Sequence, residues 1–194
     1  DWMLPVGGAG TDNTRGVGIG PDGTIYASGV VEGAAFVLDR DLPAPGGATA
    51  DYVAAVSPDG DPSWLVTFEG PGLSVGTELR TDGRGVVVSA LLDGQVTVQR
   101  DDEELAEVSP RTDLPTSYAA ALDADGGLRF IHAPSPQPPD GGAFGDVLGV
   151  SFDGEHLAQA LRFRGTLSVA GNRMTTASRR DSAIIFTCLA TGPS

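Results

Sequence analysis

The chain has 194 residues with 26 acidic and 12 basic side chains, giving a net charge of −14. Such an excess of negative charge repels phosphate backbones and anionic lipid, so nucleic-acid or membrane-surface binding is not expected. Its 28 Gly and 14 Pro make roughly a fifth of the chain, against average usage of about 12%. Because 40% of the residues are hydrophobic and fall in short, evenly spaced runs, this composition predicts many tight turns rather than disorder.

No apolar run approaches the length of a transmembrane helix, and no signal peptide is visible. The chain begins at Asp1 without an initiator Met, so we expect a leader, a preceding segment or an engineered boundary before it. The single cysteine, Cys188, excludes an intrachain disulfide framework. It lies in an apolar run and is expected to be a small buried hydrophobe.

In chain order, the first recurring block is an apolar strand, an Asp-Gly turn and a second strand. The turns are Asp22-Gly23, Asp82-Gly83 and Asp153-Gly154. Asp-Gly between two apolar runs is a strong hairpin signal, because both residues tolerate positive φ. The sequence therefore predicts three equivalent hairpins.

Each hairpin is followed by a short strand (35–40, 95–100, 166–171) and then by an apolar strand (51–56, 117–122, 181–186). A further strand, marked by Trp in two cases, comes next in the first two copies (63–68, 128–131), and its third version stands at the start of the chain (2–6). These landmarks recur with a period of roughly 60 to 70 residues. The last interval is lengthened by a Pro-rich loop over 134–142. We predict a single domain of three copies, approximately 1–62, 63–127 and 128–194.

Each copy holds about four main antiparallel strands, which predicts an all-β fold of β-propeller blades stacked on one another. Helical periodicity is nearly absent. The segment 101–108 could make one or two helical turns, and a solvated acidic loop explains it about as well.

The pattern of Trp2, Gly7-Gly8, Asp22-Gly23, Tyr26, Asp59-Gly60 and Trp64 resembles the bacterial seven-bladed-propeller-type repeats of large secreted and surface proteins. The first copy carries most of this resemblance, while the second has Leu128 in place of Trp and the third is weaker. The resemblance spans nearly the whole chain. It implies a β-propeller fold and a secreted or cell-surface location, and it implies no activity.

Three blades are too few for a propeller ring, which normally needs at least four. The strand at Trp2 is of the type that should follow residue 190. Two explanations remain open. In the first, two copies assemble head-to-tail and each Trp2 strand completes the last blade of its partner. In the second, a longer or multichain protein supplies the remaining blades. Both predict that the partner is protein.

No catalytic, cofactor or metal residue is assigned. His132 and His156 lack partners at zinc-ligand spacing. The pairs Asp59/Asp61 and Asp123/Asp125 could offer oxygens to calcium, but turn capping is the preferred interpretation. The alternating glycines of 16–20 are not followed by a helix, so a phosphate loop is rejected.

The leading functional hypothesis is a non-enzymatic binding or scaffold module of a secreted or cell-surface protein. We expect its ligand to contact the individual loops, which are 41–50, 101–115 and 134–142. One alternative is a propeller-type hydrolase or lyase with residues at the channel mouth. Another is a purely structural assembly subunit.

Overall fold

The computed structural model describes residues 1–42, 44–45, 49–70, 75–92, 94–109, 116–132, 143–153, 155–169, 172–176 and 183–190. Within these ranges, side chains are described except at 75–77, 92, 116, 143–147, 167–169, 172–173 and 183–190. The described part of the chain consists of strands and their connections and contains no helix. The predicted all-β, antiparallel fold is confirmed. No helix that could span a membrane is found in the described ranges.

Among the described residues, each of the three predicted copies holds six strands. In the first these are β1 (Val6–Gly8), β2 (Asn13–Ile19), β3 (Ile25–Glu32), β4 (Ala35–Val37), β5 (Arg40–Leu42) and β6 (Thr49–Val56). In the second they are β7 (Pro62–Glu69), β8 (Val75–Thr81), β9 (Gly85–Leu92), β10 (Val96–Arg100), β11 (Glu103–Val108) and β12 (Thr116–Asp123). In the third they are β13 (Leu128–His132), β14 (Ala143–Phe152), β15 (His156–Arg164), β16 (Thr166–Val169), β17 (Asn172–Thr175) and β18 (Ala183–Ala190).

The sheets run across the boundaries between copies. The first sheet has the order β11-β10-β7-β6-β3-β2, so β7 joins strands of the preceding copy. The second sheet, β13-β12-β9-β8, takes up β13 in the same way. The third sheet is β14-β15-β18. Each main sheet thus contains three strands of one copy. The first two sheets also contain the opening strand of the next copy, and the first is extended further by β10 and β11.

A short hairpin follows the second main strand of each copy: β4–β5, β10–β11 and β16–β17. The first two hairpins pair with the opening strand of their own copy, since β4 pairs with β1 and β10 pairs with β7. These pairings leave five separate sheets, and no closed ring is found among the described residues.

Two sequence-based expectations are corrected. The segment 101–108 is neither a helix nor a loop, because Asp101 and Asp102 form a tight turn and Glu103–Val108 is strand β11, paired with β10. Both turn residues have positive φ, 50° and 78°, which aspartate tolerates better than most residues. The opening strand begins at Val6 rather than Trp2, and the preceding Pro5 has no N–H to give to a ladder.

The core lies between the main sheets. Tyr26, Val53 and Phe68 of the first sheet pack against Leu79 and Tyr118 of the second, where Phe68 and Tyr118 stack with ring centroids 5.2 Å apart. A smaller cluster joins the second and third sheets through Phe130 and Phe152. The opposite face of the first sheet is covered in part by β1, β4 and β5.

Two tryptophans fasten opening strands to turns. Trp2 donates its indole N–H to the carbonyl of Pro58 at 3.0 Å, and Trp64 donates to the carbonyl of Ala124 at 2.8 Å. Each ring covers a turn glycine with positive φ: Gly60 lies under Trp2 and Gly126 under Trp64. The opening strand of each of these copies is thereby held to the turn before the next one.

Candidate functional site

A cleft lies between two hairpins, β4–β5 and β10–β11, on the outer side of the first sheet. Its volume is about 270 Å³. The lining residues are Arg40, Asp41, Leu42, Leu65, Thr67, Glu69, Gln99, Asp101 and Asp102. We call this feature the hairpin cleft.

The turn of the second hairpin is fixed against strand β7. The N–H of Asp101 donates to the carbonyl of Leu65 at 3.2 Å, and the N–H of Leu65 donates to Asp101 Oδ1 at 3.4 Å. The Asp101 carboxylate also pairs with the Arg40 guanidinium of the first hairpin. Asp101 thus contacts both strand β7, through two hydrogen bonds, and the first hairpin, through Arg40. These contacts hold the two walls of the cleft together.

The lining of the cleft combines three kinds of group. Leu42 and Leu65 offer apolar surface, while Thr67 and Gln99 offer hydrogen-bonding side chains. The charged groups are four carboxylates, Asp41, Glu69, Asp101 and Asp102, against the single guanidinium of Arg40. The hairpin cleft therefore favours a ligand with apolar surface and positive charge.

This cleft brings together parts of two segments that the sequence marks as ligand loops. Asp41 and Leu42 come from the segment 41–50, and Asp101 and Asp102 come from 101–115. The third predicted segment, 134–142, lies outside the described residues. Sequence reasoning missed the other lining residues, which are Arg40, Leu65, Thr67, Glu69 and Gln99. The last four come together only through the pairing of β7 with β10.

A second set of polar groups lies buried between the main sheets. Tyr118 donates its hydroxyl hydrogen to Asp51 Oδ2 at 2.9 Å, and neither residue is exposed. Burial, and then the charge of Asp51, raises the pKa of Tyr118 well above its usual value. The backbone carbonyl of Tyr118 accepts from Ser89 Oγ at 2.7 Å, and Ser89 in turn accepts from Gln159 Nε2 at 2.7 Å. These hydrogen bonds link all three main sheets, so we interpret the buried polar side chains as stabilising the packing of the sheets.

Neither histidine belongs to a cluster suited to catalysis in the described part. His132 ends strand β13, and burial lowers its pKa. His156 is exposed, and its Nδ1 lies 3.1 Å from Asp153 Oδ2. The backbone N–H groups of Glu155 and His156 are the main reason that the pKa of Asp153 is lowered to about 2. Asp153 thus caps its own turn.

The aspartate pairs considered for calcium lie in turns that are closed by hydrogen bonds. Asp123 Oδ1 accepts from the N–H groups of Asp125 and Gly127 at 2.9 and 2.8 Å. In the other turn, Ser57 Oγ accepts from the N–H groups of Asp59 and Asp61. No group of three or more His, Cys, Asp or Glu side chains suited to a metal ion occurs within the described ranges. Cys188 lies on β18, where side chains are outside the description.

Comparison of the chain with protein-family profiles, with curated proteins and with solved structures found no match.

Proposed function

We propose that the protein is a non-enzymatic binding module whose main sheets are the blades of a β-propeller and serve as a rigid support for the hairpin cleft. The observation that carries this proposal is that residues of two predicted ligand loops, 41–42 of 41–50 and 101–102 of 101–115, line one cleft. Binding residues are disproportionately found on loops and turns held by such a support. A secreted or cell-surface location, as the sequence resemblance implies, is part of the same proposal.

The ligand that suits the cleft is a short protein segment with Lys or Arg next to an apolar side chain. The positive group would lie among Asp41, Glu69 and Asp102, while Arg40 is already paired with Asp101. The apolar group would contact Leu42 and Leu65. Strand β5 is the outermost strand of its sheet, so its backbone offers further hydrogen bonds to an extended segment.

The proposal is tested by fluorescence anisotropy with two short labelled peptides. One alternates Lys with Leu, and the other has Glu in place of every Lys. We expect the Lys peptide to bind and the Glu peptide not to bind. Added salt should weaken binding, because ions screen charges that lie near the surface.

Two variants, D41N and E69Q, locate the binding. Each should weaken binding of the Lys peptide by roughly two- to fivefold, the range expected for a charge pair near the surface. D59N is the matched control, because Asp59 is exposed in a turn that does not line the cleft. Equal binding of both peptides, or equal losses in D59N and D41N, would contradict the proposal.

A further inference from the structure

Val17 holds the same place in its sheet as two residues that are buried in the others. In the hairpin β2–β3, Val17 is paired with Ala27, two residue pairs before the pair that adjoins the turn. The same position is held by Leu79, paired with Val88, in β8–β9 and by Val150, paired with Gln159, in β14–β15. Leu79 is 1% exposed and Val150 is 6% exposed, because each packs against the preceding sheet. Val17 is 66% exposed. Strands β1, β4 and β5 cover part of the face of the first sheet that carries Val17, and they leave this apolar contact residue exposed.

The opposite end of the stack shows the complementary feature. Gly16 receives Leu79, since a Cβ built on Gly16 would lie 2.6 Å from Leu79 Cβ. Gly149 is the counterpart of Gly16, because it immediately precedes Val150 in β14 as Gly16 immediately precedes Val17 in β2. A Cβ at Gly149 would meet no described atom within 4 Å. The outward face of the third sheet therefore has a glycine at the position equivalent to Gly16, but no described side chain packs on it as Leu79 packs on Gly16.

Two strand edges agree with this pattern. Strand β7 pairs with β6 on one edge and with β10 on the other, whereas β1 has only β4 as a partner among the described strands. Strand β18 likewise has only β15 among them. Trp2 is 43% exposed, although its counterpart Trp64 is 4% exposed. Within the described ranges, strand β1 therefore lacks the neighbouring main sheet that β7 has.

We propose that the outward face of the first sheet packs against the outward face of the third sheet of a second copy of this chain. Val17 of one copy then lies on Gly149 of the other, and β1 pairs with the edge of β18 that has no partner among the described strands. The second sheet separates the two faces within one chain, so they meet only between copies. The contact is head-to-tail and closes into a ring if the rotation permits. It does not depend on the hairpin cleft.

Light scattering coupled to size-exclusion chromatography of the full chain tests this contact over a range of concentrations. We expect a mass of at least twice the 19.8 kDa of one chain. V17D should raise the dissociation constant at least tenfold, because it places a charge in the apolar contact. G149L should do the same by filling the receiving position. Val17 is exposed and no described atom lies within 4 Å of a Cβ at Gly149, so circular dichroism should show a retained fold.

Q95E is the control, since it adds one negative charge at an exposed position before β10. It should associate like the wild type. A 19.8 kDa species at every concentration would overturn the proposal. So would association that V17D and G149L leave unchanged. V17D should still bind the Lys peptide, so failure of the contact and failure of the cleft are told apart.

Discussion

Leu79 packs so closely on Gly16 that a methyl group on the glycine would lie 2.6 Å from the leucine Cβ. This contact joins the first and second sheets at a position where both backbones approach each other. It explains why a glycine stands in the middle of strand β2, where glycine is otherwise unfavourable.

We expect G16A to destabilise the protein by about 1–3 kcal/mol, the usual cost of overpacking a core. The new Cβ would also lie 2.6 Å from Ser28 Oγ, so it has little room to move. G149A is the matched control when both variants are measured at a concentration where single copies predominate, because no described atom of the same copy lies near its Cβ, and it should then change stability little. Urea denaturation followed by fluorescence measures both. Equal effects would show that the sheets are not packed at Gly16 as described.

The hydrogen bond from Tyr118 to Asp51 should contribute more than the one between Tyr52 and Thr14. The first is fully buried and has a carboxylate acceptor, whereas the second, at 2.6 Å, is only partly buried. We expect Y118F to cost about 1–3 kcal/mol, and Y52F about 0.5–1.5 kcal/mol. Denaturant midpoints of the two variants are compared. A larger loss in Y52F would count against a buried contact between the first and second sheets.

The raised pKa of Tyr118 predicts a loss of stability in alkali. The folded state holds the phenol neutral, so its contribution is present below the unfolded pKa of about 10 and is lost as the pH rises above it. We expect the stability of the wild type to fall more steeply above pH 10 than that of Y118F. Unfolding measured at several alkaline pH values tests this. Parallel curves would be inconsistent with a buried phenol.

We expect the pKa of Asp153 to be about 2, chiefly because backbone N–H groups donate hydrogen bonds to its carboxylate. We therefore expect H156A to leave most of the lowered pKa in place, since the amides of residues 155 and 156 remain. Carboxyl carbon NMR over the acid range measures this. Any contribution of Asp153 to stability is present above about pH 4 and is lost as the pH falls toward 2. A return of the Asp153 pKa to its ordinary value in H156A would assign the effect to the imidazole instead.

The two tryptophans should differ in their contribution to stability. Trp64 is 4% exposed and also contacts Tyr26, with ring centroids 5.9 Å apart, whereas Trp2 is 43% exposed. We expect W64A to cost about 3–5 kcal/mol, the range for a large core aromatic, and W2A clearly less. Thermal denaturation of the two variants provides the comparison, and similar losses would argue that Trp2 is buried in solution.

Local features were predictable because they depend on neighbours in the chain. The turns at Asp22, Asp82 and Asp153 follow from Asp-Gly chemistry, and in each turn the aspartate accepts backbone N–H groups. Strand β11 was not predictable, since its charged sequence forms a strand only through pairing with β10. Its turn at Asp101 and Asp102 also lacks the glycine that usually marks a tight hairpin.

The hairpin cleft was only partly predictable for the same physical reason. The individual segments 41–50 and 101–115 stood out by composition, but their meeting depends on the Arg40–Asp101 pair and on docking of the second hairpin on Leu65. The Tyr118–Asp51 contact joins residues 67 positions apart. No local pattern specifies such a contact, because it is set by how whole sheets stack.

Binding at the hairpin cleft is tested most directly by amide NMR during titration with the Lys peptide. The account predicts that the amide signals of Leu42, Leu65 and Asp101 shift in proportion to peptide bound. The amide of His132, which lies outside the cleft, should stay in place. Shifts confined to the signals of other residues, or no shifts at all, would contradict the assignment of this cleft as the binding site.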